Sequence, residues 1–243
     1  VDQSGGLAAF EHLGDSEMGA IRIEEGASLS TVVEGISEPG RIMVFAPVIE
    51  NSGNIETPDG QAVLAASTDK VYLRAIDGDP DLRGFYVEVE TGGRIDNLGE
   101  IIAERGNITL LGHAINQSGL LRATTAVDSN GSIRLLARDN VNDSLVTGVN
   151  TQKVVSDWQK GSVATRGGVL SFGEGSRTEV LPETSSQDAA IDEVDQLESW
   201  VEAVASEIEL KQDAQIRSPG GKVELLAVED LGTFYSANGY GQQ

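Results

Sequence analysis

The sequence predicts an all-β fold, a right-handed parallel β-helix (a solenoid) with one short helical excursion. Three observations predict it: a recurring strand pattern that opens on glycine, a second recurring pattern of asparagine and glycine, and an aliphatic composition almost without aromatics. Of the 243 residues, 39% are hydrophobic but only 5% are aromatic, with 29 glycines and 6 prolines. So much glycine argues against a helical bundle, and so much aliphatic content against a disordered chain.

The first pattern reads glycine, any residue, aliphatic or alanine, any residue, apolar. It occurs at Gly40-Arg41-Ile42-Met43-Val44, Gly60-Gln61-Ala62-Val63-Leu64, Gly106-Asn107-Ile108-Thr109-Leu110, Gly131-Ser132-Ile133-Arg134-Leu135, Gly168-Val169-Leu170-Ser171-Phe172 and Gly221-Lys222-Val223-Glu224-Leu225. A looser copy at Gly84-Phe85-Tyr86-Val87-Glu88-Val89 slips its apolar phase by one. From Gly40 to Gly131 the glycines are 20, 24, 22 and 25 residues apart, and the spacing then widens to 37 and 53. A period near 22 suits one coil of three short strands and three turns.

Side chains alternate along a strand. Ile42/Val44, Ile108/Leu110, Ile133/Leu135 and Val223/Leu225 should therefore point inward, and Arg41/Met43, Asn107/Thr109, Ser132/Arg134 and Lys222/Glu224 outward. A single coil cannot bury its apolar side, so coils stack at about 4.8 Å around a narrow aliphatic core.

The second pattern precedes the first: Asn51-Ser52-Gly53-Asn54-Ile55, Asn97-Leu98-Gly99-Glu100-Ile101 and Asn116-Gln117-Ser118-Gly119-Leu120. Asparagine and glycine tolerate left-handed backbone angles, so these runs are expected at the corners between strands. Gly19 to Leu29 reads as strand, corner, strand, a further coil. A hairpin sandwich would show turns every 8–12 residues without a longer repeat. A βαβ fold would need helical patterns within residues 40–140, which are missing.

Two stretches break the period. Residues 139–166 read as a loop or extra hairpin leaving the shaft. Residues 185–200 read as an amphipathic helix packed on it, with Ile191, Val194, Leu197 and Val201 in one stripe and Ser186 at its start. The chain is thus expected to be a single domain over 1–243, a piece of a longer solenoid with its end at Phe234–Gln243 cut or frayed.

The formal net charge is −22. Such a chain repels nucleic acid and anionic lipid, because phosphate binding needs clustered cations. No apolar run of about 18 residues is present, so no membrane span is expected. With no cysteine, disulfide and thiolate chemistry are excluded.

Chemical motifs are sparse. The two histidines, His12 and His113, have no second histidine or cysteine at ligand spacing, and His113 should sit exposed at a corner. No glycine-rich phosphate loop is present. Asp77, Asp79 and Asp81, with Glu88 at the twelfth place, mimic a calcium loop, but Leu82 stands where glycine belongs. A solvated acidic turn is the expectation there. No catalytic, cofactor or metal residue is assigned.

The order of motifs resembles filamentous haemagglutinin-like exoproteins. The resemblance rests on Ala46-Pro47-Val48-Ile49-Glu50-Asn51-Ser52-Gly53, Thr57-Pro58-Asp59-Gly60-Gln61-Ala62-Val63-Leu64, Asn97 to Leu110, Asn116-Gln117-Ser118-Gly119, Thr178-Glu179-Val180-Leu181-Pro182-Glu183 and Ala214 to Val223. It covers most of residues 19–227. It implies a β-helix shaft, export through an outer-membrane two-partner transporter, and adhesion at the bacterial surface to host or bacterial glycans or proteins. The Asn-Pro-Asn motifs of that family's secretion domain are absent, so the export route is implied by the resemblance alone. The alternatives are a polysaccharide-active β-helix enzyme, although the Asn-Thr-Asp, Asp-Asp and Arg-Ile-Lys motifs of pectin hydrolases are missing, and the stick of a contact-dependent toxin-delivery protein.

Overall fold

The computed structural model describes residues 7–11, 19–32, 40–75, 84–126, 129–140, 165–183 and 198–229. Every regular element among them is a β-strand. After β1 (Leu7–Glu11) the chain makes six rounds of three strands. They are β2 (Ala20–Ile23), β3 (Ser28–Ser30) and β4 (Arg41–Ala46); β5 (Val48–Asn51), β6 (Asn54–Glu56) and β7 (Gln61–Ala66); then, after β8 (Lys70–Ala75) and β9 (Phe85–Val89), β10 (Arg94–Asn97), β11 (Glu100–Ala103) and β12 (Asn107–Gly112). The fourth round is β13 (Ala114–Gln117), β14 (Leu120–Thr125) and β15 (Ser132–Asn140). Following β16 (Thr165–Gly167) come β17 (Val169–Phe172), β18 (Arg177–Pro182) and β19 (Trp200–Ala205), and last β20 (Glu207–Leu210), β21 (Gln215–Arg217) and β22 (Lys222–Ala227).

Within each round the strands join three different sheets, and successive rounds pair in parallel. The first stack is β2-β5-β10-β13-β17-β20, the second β3-β6-β11-β14-β18-β21, and the third β4-β7-β12-β15-β19-β22. This stacked parallel order is consistent with a parallel β-helix. Where nothing is inserted a round is 20 to 22 residues, as Arg94 pairs with Ala114, Glu100 with Leu120 and Trp200 with Lys222. The expected period near 22 agrees with this range.

The register lines up apolar residues in columns, which is why alternating aliphatics suffice to build a core. Ile49, Ile95, Ile115 and Leu170 form one buried column, and Ile55, Ile101 and Leu121 another. In the third stack Ala62, Ile108, Ile133 and Val201 lie in register, beside Leu64, Leu110, Leu135 and Ala203. All of these residues belong to one buried cluster. The residues expected inward at Ile42/Val44, Ile108/Leu110, Ile133/Leu135 and Val223/Leu225 all fall on these two columns.

Two copies of the glycine pattern belong elsewhere. Gly84–Val89 forms β9, which pairs antiparallel with β8 and lies in none of the stacks. Gly168–Phe172 enters the first stack, because β17 pairs with β13. The third-stack strand of that round is Trp200–Ala205, which is preceded by Ser199 instead of glycine. That accounts for the widened spacing after Gly131.

A second sheet lies on the flank. β1, β8 and β9 pair antiparallel in the order β1-β8-β9. Val71, Leu73, Phe85, Val87 and Val89 from this side sheet pack with Val63, Ala65, Leu111, Leu136 and Val204 from the third stack's outer side. The outward positions Asn107, Thr109 and Ser132 are buried on this side. Phe10 rests on Phe45, with ring centroids 5.2 Å apart.

The period breaks are partly visible. β15 runs on to Asn140, and β16 returns antiparallel to it through Arg138↔Gly167 and Asp139↔Arg166. Residues 141–164 lie outside the described residues, as do 230–243. No helix occurs among the described residues. Residues 185–197 of the expected helix lie outside them, while Trp200 and Val201 at its end belong to strand β19. Val201 points into the core in register with Ile133, so its place in the apolar stripe came from a strand.

Candidate functional site

The corners between the first and second stacks are built differently from expectation. Asn51, Asn97 and Gln117 end their strands and stack in register, fully buried. Asn51 Nδ2 donates to Asn97 Oδ1 (2.7 Å), and Asn97 Nδ2 donates to Gln117 Oε1 (2.6 Å). Gln117 Nε2 ends the chain on the carbonyls of Gly119 and Arg177. These side chains satisfy one another and the turning backbone, so a polar row can lie in an apolar interior. None of the three has a positive φ; the described non-glycine residues that do are Asp59, Arg105 and Asp213. The glycines after them serve a different need. A Cβ on Gly99 would strike the Gly53 carbonyl, and one on Gly119 the Gly99 carbonyl. Close stacking of one round on the next therefore excludes a side chain there.

The outer sides of the first two stacks carry charge-paired ladders. On the first, Arg22 pairs with Glu50 (2.7 Å), Arg94 with Asp96 (2.7 Å), and Asn116 donates to Asp96 (2.6 Å). On the second, Arg122 clamps the buried Glu179 (2.7 and 2.8 Å). Where the second stack turns toward the third, Arg105 donates to Asp59 (2.6 and 2.8 Å) and to Glu183 (2.9 and 3.0 Å). The hydrogen bond to Asp59 leads the effects that raise the Arg105 pKa above its ordinary value. The guanidinium thus ties three rounds together.

The densest polar set lies where the side sheet meets the third stack. Gln61 Nε2 donates to the Phe85 carbonyl (3.0 Å), and the Phe85 N–H donates back to Gln61 Oε1 (2.9 Å). This amide occupies the backbone groups of β9 much as a neighbouring strand would. Beyond it, Glu88 is bridged by Arg138, and Arg134 pairs with Glu202 (2.6 Å). Burial raises the Glu88 pKa above the usual carboxylate value, against the opposing pull of Arg138 and Arg134. For Arg134, burial works to lower the pKa, but Glu202 overrides it and the net shift is upward. Trp200 lies alongside, with the Arg134 guanidinium 5.7 Å and the Lys222 ammonium 5.2 Å from its ring. Lys222 also pairs with Glu224 (2.8 Å). Chemically the set is balanced, with each carboxylate facing a cation. It can offer hydrogen bonds and an aromatic edge to a ligand without net charge.

A second knot holds the roots of both insertions. Asp139 is fully buried and accepts from the Gly92 N–H (3.0 Å) and from Arg166 (2.6 and 3.2 Å). Its hydrogen bond raises the Arg166 pKa. His113, the single residue between β12 and β13, places Nδ1 3.7 Å from Asp139 Oδ2. Its side chain is 35% exposed, and it stands at the corner expected of it.

Asp77, Asp79 and Asp81 lie outside the described residues, as does His12. Glu88, the twelfth member of the calcium-like spacing, is committed to Arg138. Among the described residues no group of three or more histidine, cysteine, aspartate or glutamate side chains is poised to hold a metal. Nor is any helix there long and apolar enough to cross a membrane.

Sequence reasoning named Glu88 and Arg134 in other roles and missed their pairing with Arg138 and Glu202, as well as the Asn51–Asn97–Gln117 row. The available signal was the apolar outer positions Leu111, Leu136, Val204 and Leu226, which alternate in phase with the inner column and call for a second covering layer. Compared with known proteins, the chain matches no family model, no curated protein and no solved structure.

Proposed function

We propose that the three stacks wind as a right-handed parallel β-helix. The chain would then act as a shaft and adhesion segment of a secreted, cell-surface exoprotein similar to filamentous haemagglutinin. Right-handedness is the reading for parallel strands joined by crossovers in one sheet, which wind that way in about 98% of cases. The observation that carries the proposal is the in-register stacking of six rounds, with one side covered by the side sheet and two sides left as polar, charge-paired faces. A repeat scaffold of this kind binds through extended surfaces. The order of motifs along residues 19–227 adds the family reading. Its partners on this reading are an outer-membrane two-partner transporter for export and glycans or proteins of host or bacterial surfaces for adhesion.

A polysaccharide-active enzyme is the second reading, and it would draw on Glu88 and Glu202, whose charges act on each other. A glycosidase needs an acid and a base flanking an open gap. Each of these carboxylates is tied to a guanidinium, which favours binding over turnover. One experiment separates the two. The purified chain is offered to immobilised acidic and neutral polysaccharides and to a reducing-end assay with the same panel. Saturable binding without product supports adhesion. Reproducible turnover that disappears in Glu88→Gln overturns it in favour of the enzyme, and an absence of both sinks the glycan-adhesion reading.

A further inference from the structure

We draw no further inference here: the strongest candidate, the apolar end of the stack formed by the half-exposed Leu210, Val223 and Leu225 of the last round, carries nothing because nothing in the structure shows what covers it.

Discussion

At the scale of single residues, the molecule depends on polar groups that are buried and satisfied. Asn97 is the middle rung of its row, donating to Gln117 and accepting from Asn51. Asn97→Leu would keep the branched shape of the side chain but leave a donor and an acceptor unpaired in an aliphatic interior. It should cost about 3 kcal/mol, read as a lower urea midpoint at unchanged slope.

Glu88 makes the opposite kind of statement. Its folded pKa lies above its unfolded value because burial outweighs the two arginines. The folded chain therefore holds this proton more tightly than the unfolded chain. Its contribution to stability is fully present below the ordinary carboxylate range and is lost as pH rises from there through the raised value. The stability of the wild type relative to Glu88→Gln should fall over that window, measured by denaturation at a series of pH values. A wild type that gains stability relative to Glu88→Gln as pH rises would contradict the assignment.

At the scale of elements, the rounds and the break after β15 were legible in the sequence and the side sheet was not. A round announces itself because its apolar residues recur with period 2 within a strand and period 20 between uninterrupted rounds, and Ile101 and Ala103, in register with Leu121 and Ala123, show both. β9 shows only the first. Phe85, Val87 and Val89 alternate like any half-buried strand, so nothing local distinguishes a strand that stacks from one that covers. The same ambiguity misplaced Val201, whose three- and four-residue spacing to upstream apolar residues imitates a helical stripe. The asparagines were found, but their role was misread. Residue type predicts tolerance of a tight turn, whereas the buried row exists only once rounds stack in register. The charged set at the side sheet was hidden for the same reason, since Glu88 and Arg138 are 50 residues apart. Phe85→Ala should loosen the side sheet without unfolding the stacks. The expected loss is about 3 kcal/mol. Amides of β8 and β9 should exchange faster while those of β10 to β15 keep their protection. Uniform loss of protection would show that the two layers open as one unit.

At the scale of the whole molecule, stacking explains why so few aromatics suffice. Three sheets close around a space narrow enough for isoleucine, leucine, valine and alanine, and of the four phenylalanines among the described residues only Phe172 is among the largest fully buried side chains. The net charge of −22 is spread over outer ladders where many carboxylates have a cationic neighbour, and it keeps such surfaces apart in solution. Both the adhesion proposal and the reading of every outer face rest on the register of those stacks. Methyl-to-methyl nuclear Overhauser contacts of isoleucine-labelled protein test it most directly. Ile95 is predicted to contact both Ile49 and Ile115, and Ile101 to contact Ile55. If Ile95 shows neither contact, the rounds do not stack in this register and the account fails.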